Sequence, residues 1–432
     1  MIFYKDYPSI SFFAKMKPTH YTKGQIMAIS IKEALGIIDK QKIMLKKETS
    51  CIEEAVGRVA AKDYYANIDL PTFDNSAMDG YAVKLEDAGK EVKILATTLA
   101  GEQSEAEVTP GYAIKIMTGA KLPKGTQAVV PLEDVEYLGE SVILPKKIKE
   151  HANMRFAGED VAKDERIIEK GEELSAYKIA LLASQGYSYI EIYRKPKVNV
   201  FATGHELKMH YEQLHNAQIY NSNTPALLTR AKELGCDVTF TGKIEDDKES
   251  IKEAIRNALD ADLIITSGGV SVGEADFTKE AFKELGMEIL FSKIDIKPGK
   301  PTTLGKIGNT FVLNLPGNPL AAILNFEIFG RFLINRLKGK KSYYFQPIKA
   351  KLQEKFIHKP GRDTVIPGRF DGEHFIPLQK YGPGMVKPAA IMDGFIIVDK
   401  ETESLSKSKN VLFIPTFCES TTYVQEEILT KH

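Results

Sequence analysis

Residues 263–276 read L-I-I-T-S-G-G-V-S-V-G-E-A-D, an apolar run of strand formers passing directly into ten residues that are nearly all small, polar or acidic. Apolar side chains at successive positions suit a parallel strand covered on both faces, so residues 263–266 predict such a strand. The loop after it carries Gly268, Gly269 and Gly273, which let the backbone approach an anion. Ser267 and Ser271 place hydroxyls beside the N–H groups of a helix expected over 277–285. A bare Gly-Gly pair would read equally well as a flexible strand-to-helix turn. The full ten-residue string ahead of Phe277-Thr278-Lys279 argues instead for a ligand loop.

Working outward, the chain alternates. A strand over 198–203 precedes a helix over 224–234, a strand over 238–241 and a helix over 250–259, followed by the strand and helix just described. Alternation of this kind implies right-handed parallel βαβ units stacked as three layers, with ligands bound beyond the C-terminal strand ends. Acidic residues fall at those ends: Glu206 after the first strand, Glu245-Asp246-Asp247 after the second, Asp276 after the third. Each alone reads as a solvated surface acid. Brought together they would repel unless a cation lay among them, and an all-oxygen set suits Mg²⁺.

Downstream, Lys297-Pro298-Gly299-Lys300-Pro301 crowds two ammonium groups on a turn stiffened by two prolines, which is sensible if an oxyanion lies between them. Leu315-Pro316-Gly317-Asn318-Pro319 then opens a helix over 320–337, whose start is expected to present free N–H groups. From about residue 347 short strands separated by Pro-Gly, Asp-Gly and Gly-Pro-Gly turns suggest a small terminal β barrel or sandwich. Within it lies Gly361-Arg362-Asp363, whose guanidinium can clamp an oxyanion bidentately.

Upstream, Ser30-Ile31-Lys32-Glu33 reads as a capping box opening a helix over 30–45. Residues 1–26 lack the pattern and read as an extension, with Met27 an alternative start. From 51 to 150 the chain is β-rich, with strands expected over 92–96, 113–117, 128–131 and 142–144. A charged stretch over 155–171 and a helix over 179–184 follow; lacking a core of their own, they are expected to pair with the 30–45 helix across the β unit. Inside the β unit, residues 70–83 read L-P-T-F-D-N-S-A-M-D-G-Y-A-V, a polar turn cluster around Asp74 and Asp79, which would otherwise be an Asx-turn arrangement. Residues 111–120 end in Thr118-Gly119-Ala120, where Thr118 reads either as a site residue or as a turn hydroxyl.

Bulk properties exclude several classes. Lys plus Arg, 58, balance Asp plus Glu, 58, so no global basic field draws the chain to nucleic acid or an anionic membrane. Cys51, Cys236 and Cys418 are odd in number and far apart, giving neither a disulfide framework nor a metal pattern, which fits a reducing cytoplasm. No apolar run approaches a membrane span. His205, His210 and His215 at five-residue spacing would point apart on a helix and do not make a zinc site.

The strings at 70–83, 111–123, 158–160, 267–279, 297–301, 315–319 and 361–363, in this order, resemble the signatures of the MoeA-type molybdopterin molybdenumtransferases, related to the C-terminal half of gephyrin. The resemblance implies a multidomain α/β and β fold. A three-layer α/β/α molybdopterin-binding domain with a mostly parallel sheet would occupy 196–340. An inserted β-rich domain over 51–150 would sit on an elongated linker domain made of 28–50 and 151–195. A C-terminal small β barrel over 341–432 would close the chain, and 1–27 would be an N-terminal extension. The implied reaction is insertion of molybdate into the dithiolene of adenylylated molybdopterin, with Mg²⁺-dependent release of AMP. The alternatives are a pterin-binding scaffold without insertion activity and a tungstate-selective variant.

The same resemblance gives catalytic roles to Asp79, Thr118, Glu206, Asp246 and Asp276. It gives substrate contacts to Ser267, Gly268, Gly269, Ser271, Gly273, Lys293, Lys297, Lys300, Pro316, Gly317, Asn318 and Arg362, and Mg²⁺ ligation to Asp276, Asp246, Glu206 and Asp160. His205, Asn221 and Pro383 depart from the family pattern, which commonly has acids at the first two positions and a serine-bearing stretch around the third. Implied partners are adenylyl-molybdopterin, molybdate, a second copy of the chain in a homodimer with shared active sites, and the molybdopterin adenylyltransferase; nucleic acid and membrane are not among them.

Overall fold

The computed structural model describes residues 28–102, 105–245, 247–268, 277–357 and 360–416. Two compact units emerge, one built from residues 1–48, 57–59 and 193–432, the other from 49–56 and 60–192. Among the described residues no helix is long and apolar enough to cross a membrane.

In the first unit six strands lie in the order Asp237–Ile244, Lys197–Thr203, Leu263–Ser267, Thr310–Leu315, Thr303–Ile307 and Glu288–Phe291. The first four are mutually parallel and the last two antiparallel. Alternation along the central strands decides the layering. Val200, Ile265 and Leu313 enter one core with Leu227, Ala231 and Phe332; their neighbours Phe201, Ile264 and Val312 enter another with Ile251, Ile255 and Ala281. Both faces are thus covered by helices, the reason apolar side chains fill consecutive positions of these strands. The helices are Asn223–Glu233, Lys248–Asn257, Phe277–Glu284 and a long one from Pro319 to Leu337. Pro319 stands in the first turn of the last, and a π turn over Phe326–Gly330 interrupts it.

The terminal region is a closed five-stranded barrel. Asp363–Phe370 pairs with both His374–Pro377 and Gly394–Val398, Ile348–Leu352 with both His374–Pro377 and Asn410–Pro415, and Asn410–Pro415 with Gly394–Val398. Leu352, Ile366, Phe375, Ile396 and Phe413 fill it.

The capping box forms as expected: the Ser30 hydroxyl accepts from the Glu33 N–H at 3.1 Å, and the Ser30 N–H donates to the Glu33 carboxylate at 2.8 Å. The helix, however, is Ile31–Asp39 and does not reach residue 45. Ile31, Ala34 and Ile38 supply its buried face, and the next positions on that face are Gln41 and Lys42, with nothing apolar to bury. It packs in the core of Val200, Leu313 and Phe332.

In the second unit a six-stranded sheet runs in the order Ala128–Pro131, Gly80–Val83, Tyr112–Ile116, Glu91–Thr98, Ser141–Ile143 and Glu136–Tyr137. Alternation again splits it: Tyr81, Val83 and Ala113 face one cluster, Ala82, Ile114 and Ile116 the other. The helix Ala176–Ser184, capped by Ser175, packs through Leu182 against Ile52, Tyr64, Ile168 and Ile190, a core separate from that sheet.

Candidate functional site

The turn cluster of the second unit is held by its own polar groups. A cis Leu70-Pro71 bond opens the stretch. The Asp74 carboxylate accepts from the Ala157 N–H at 2.9 Å, and the Ser76 hydroxyl donates to the Met78 carbonyl at 2.6 Å. Asp79 Oδ1 accepts both the Thr118 N–H, at 2.6 Å, and the Thr118 hydroxyl, at 2.7 Å. Those two donors, the backbone one foremost, hold the Asp79 carboxyl below its ordinary range, so it is an anion at neutral pH. Two residues 39 apart in sequence are joined, the Thr118 hydroxyl going to Asp79, the expected site acid. Asp160 lines a cleft of about 460 Å³ with Leu70, Pro71, Arg155 and Glu159.

In the first unit the expected ligand loops meet at adjacent strand ends. Thr203, Ser267 and Leu315 end the three neighbouring parallel strands. The Gly268 N–H donates to the Leu315 carbonyl at 3.3 Å. Gly268 has φ +104°, and a Cβ there would stand 2.8 Å from the Thr203 carbonyl oxygen, so only glycine lets these strand ends close up. Ser267 donates to the Pro316 carbonyl at 3.2 Å. Asn223, at the start of its helix, donates to both the Ser267 hydroxyl, at 2.7 Å, and the Gly317 carbonyl, at 2.8 Å. Sequence reasoning missed Asn223, which looks like an ordinary helix cap in N-S-N-T. The capping bond comes from Asn221, one residue before the N-cap Ser222: its Oδ1 accepts from the Thr224 N–H at 3.1 Å while its Nδ2 donates to the Thr224 hydroxyl at 2.9 Å. The amide at 221 is therefore used for packing the turn.

Gly269, Ser271, Gly273, Asp246 and Asp276 lie outside the described residues. Of Glu206, Asp246 and Asp276, Glu206 is the described one, its carboxylate folded back over Gly204. Among the described residues no three His, Cys, Asp or Glu side chains converge as a metal site. The three residues offer only carboxylate oxygen, a donor set that suits a hard divalent cation such as Mg²⁺. Asp160 belongs to the other compact unit.

The lysine turn is built into the same unit as the barrel. Ile296–Lys297 pairs in parallel with Asp363 and Thr364, Lys297 standing opposite Thr364. The Arg362 guanidinium reaches the Ile296 carbonyl at a long 3.5 Å. Lys293, Lys297 and Lys300 are exposed at this edge. The neighbouring helix start differs from expectation: the Leu320 and Ala321 N–H groups are not free, because both donate to the Pro383 carbonyl, at 2.9 and 3.4 Å. A proline has no N–H to compete for that geometry, and its carbonyl is a natural cap for orphan donors. Asn318 sits beside Gly384.

Known proteins carry the same parts. A family model described as "MoeA N-terminal region (domain I and II)" matches residues 29–186, one described as "Probable molybdopterin binding domain" matches 199–336, and "MoeA C-terminal region (domain IV)" matches 349–416. The molybdopterin molybdenumtransferase of Haemophilus influenzae is 35% identical over 384 residues, covering 84% of this chain and 92% of the relative. That of Staphylococcus epidermidis is 36% identical over 336 residues, covering 76% and 80%. A solved molybdopterin biosynthesis MoeA protein from Pyrococcus horikoshii superposes with a TM-score of 0.77 at 33% identity, over 90% of this chain and 99% of that one. A second structure from that organism gives 0.80 at 27% identity, over 90% and 100%. The fold and its ligand-loop edge are therefore those of a molybdenum cofactor biosynthesis protein. The chain belongs to the MoeA family of molybdopterin molybdenumtransferases.

Proposed function

We propose that this protein inserts molybdate into the dithiolene of adenylylated molybdopterin, with release of AMP. The observation that carries the reading is that Ile296–Lys297 pairs with Asp363 and Thr364, which brings the Arg362 guanidinium to the Ile296 carbonyl, one residue from Lys297. Neither cation is near the other in sequence, and grouping like charges costs energy unless an anion is to be bound.

In this reading Lys293, Lys297, Lys300 and Arg362 hold the tetrahedral oxyanion. Ser267 and Gly268, with Pro316, Gly317 and Asn318, form the wall against which pterin and nucleotide lie. Asp79, kept ionised by Thr118, orients a donor of the substrate. Mg²⁺, held by Glu206 with Asp246 and Asp276, would neutralise phosphate charge as the phosphoanhydride is cleaved. The protein's part is positioning and charge complementarity; no side chain needs to form a covalent intermediate. A homodimer with shared sites belongs to the same proposal.

The test is product analysis by mass, with adenylylated molybdopterin supplied together with molybdate or tungstate. Metal-loaded cofactor plus stoichiometric AMP is the expected outcome. Pterin binding without either product would favour a scaffold, and product with tungstate alone would favour the tungstate-selective form.

A further inference from the structure

We propose that Asn325 and Thr302 are positioning residues that fix the spacing of Lys297 and Lys300, and thereby which tetrahedral dianion the lysine turn prefers. The inference rests on reading that turn as the oxyanion site. Asn325 is fully buried in an otherwise apolar stretch of helix, between Leu324 and Phe326. A buried carboxamide is costly unless its donors and acceptor are all used. Here they are spent on the turn: Nδ2 donates to the Pro298 carbonyl at 3.0 Å and to the Ala321 carbonyl at 2.7 Å. That two carbonyls converge on one atom fixes it as the nitrogen. Oδ1 faces the Thr302 hydroxyl at 3.0 Å, and that hydroxyl also lies 2.8 Å from the Gly299 carbonyl, so its single hydrogen serves one or the other.

The two residues separating the lysines, Pro298 and Gly299, are both tied down through their carbonyls, Pro298 by Asn325 and Gly299 by the Thr302 backbone N–H at 3.1 Å, with the Thr302 hydroxyl beside it. Gly299 has φ +114°, and a Cβ there would stand 1.8 Å from Asn325 Nδ2, so the turn is seated directly on the carboxamide. With 298 and 299 immobile, the separation of the two ammonium stems is set by the buried helix rather than by the anion. A cradle of fixed width discriminates among dianions of equal charge and different radius, whereas a slack one adapts to any of them.

The experiment uses the full-length protein and compares binding of molybdate with that of sulfate, a smaller tetrahedral dianion, alongside pterin binding and the thermal midpoint. Thr302→Val is nearly isosteric and removes the hydroxyl; Thr302→Ser restores it; Asn325→Ala removes the seat. Both disruptive variants should lower the molybdate-over-sulfate preference by about tenfold, the worth of one hydrogen-bonded contact. Pterin affinity should stay near wild type, and Thr302→Ser should recover the preference. If Thr302→Val keeps the preference while only the midpoint falls, or loses pterin and oxyanion affinity in parallel, the positioning role is overturned, whatever the folding of Asn325→Ala. Lys297→Ala separates the two ideas: unchanged molybdate binding there would sink the reading of the turn, whereas a loss there with an intact preference in Thr302→Val would sink only the positioning role.

Discussion

Thr118 donates its backbone N–H and its hydroxyl to the same oxygen of Asp79, at 2.6 and 2.7 Å. Two donors on one oxygen leave the other oxygen aimed outward and favour the ionised form. Thr118→Val keeps the volume and removes one donor, so the Asp79 carboxyl should rise toward its ordinary value of about 3.9. Because the folded-state pKa is depressed, the stabilisation is fully present above that value and disappears as pH falls through the folded pKa. The wild type and the variant should therefore differ in stability at neutral pH and converge in strong acid. Carboxyl NMR titration with acid unfolding reads both, and an unmoved Asp79 titration would refute the linkage.

Lys297 and Lys300 stand exposed on a turn whose backbone is anchored elsewhere, so removing either ammonium should not disturb the fold. Replacement of either by Ala is expected to raise the molybdate half-saturation about 10- to 100-fold, as for loss of a charged hydrogen bond. Thermal stability should hold or improve slightly as like-charge repulsion is relieved. Equal loss of pterin binding, measured by titration, would point to a collapsed loop instead.

Glu327, buried in the π turn, receives the Arg230 guanidinium at 2.7 Å and faces Arg331 at 3.3 Å. Arg230 and Arg331 also donate to the carbonyls of Thr416 and Pro415, at 2.9 and 2.7 Å. Burial disfavours the charge on Arg331, and the nearby Glu327 carboxylate offsets that. Glu327→Gln would remove the carboxylate facing the half-buried Arg331, while Arg230 keeps Glu233 at 2.9 Å, so unfolding in urea should show a loss of about 1.5–3 kcal/mol. A loss below about 1 kcal/mol would mean that water already reaches the pair.

Sharing of sites in a homodimer is tested by complementation. At molybdate well below the raised half-saturation of Lys297→Ala, that variant and Asp79→Asn should each be nearly inactive alone, and should regain up to about a quarter of wild-type activity when subunits are mixed and exchanged, since half of the dimers are mixed and each holds one intact site. Proven exchange without recovery would place both residues in the site of a single chain.

The sequence by itself determined the architecture of the sheet unit. Runs such as Val200-Phe201-Ala202 and Leu263-Ile264-Ile265 are apolar at consecutive positions, a pattern that suits a strand covered on both faces. The Ser30/Glu33 capping box was legible for the same reason: its hydrogen bonds close within four residues. The chemistry-bearing strings were legible as strings, because Gly, Pro, Lys and Asp in such density serve no core.

Only the tertiary structure decided what those strings touch. Nothing local announces that Thr118 will meet Asp79, that residues 296 and 297 will join a barrel strand some 66 positions later, or that the Pro383 carbonyl will occupy the helix start left open by the sequence reading. The extent of the 30–45 helix was hidden likewise, because its apolar stripe is short and only the core it enters decides where it ends. Asn325 shows the limit most plainly. In sequence it is one polar residue in an apolar helix, and only the arrival of the 298–299 carbonyls from a distant turn gives its carboxamide partners, because hydrogen bonds between remote segments are fixed by packing and leave no periodic trace in the chain.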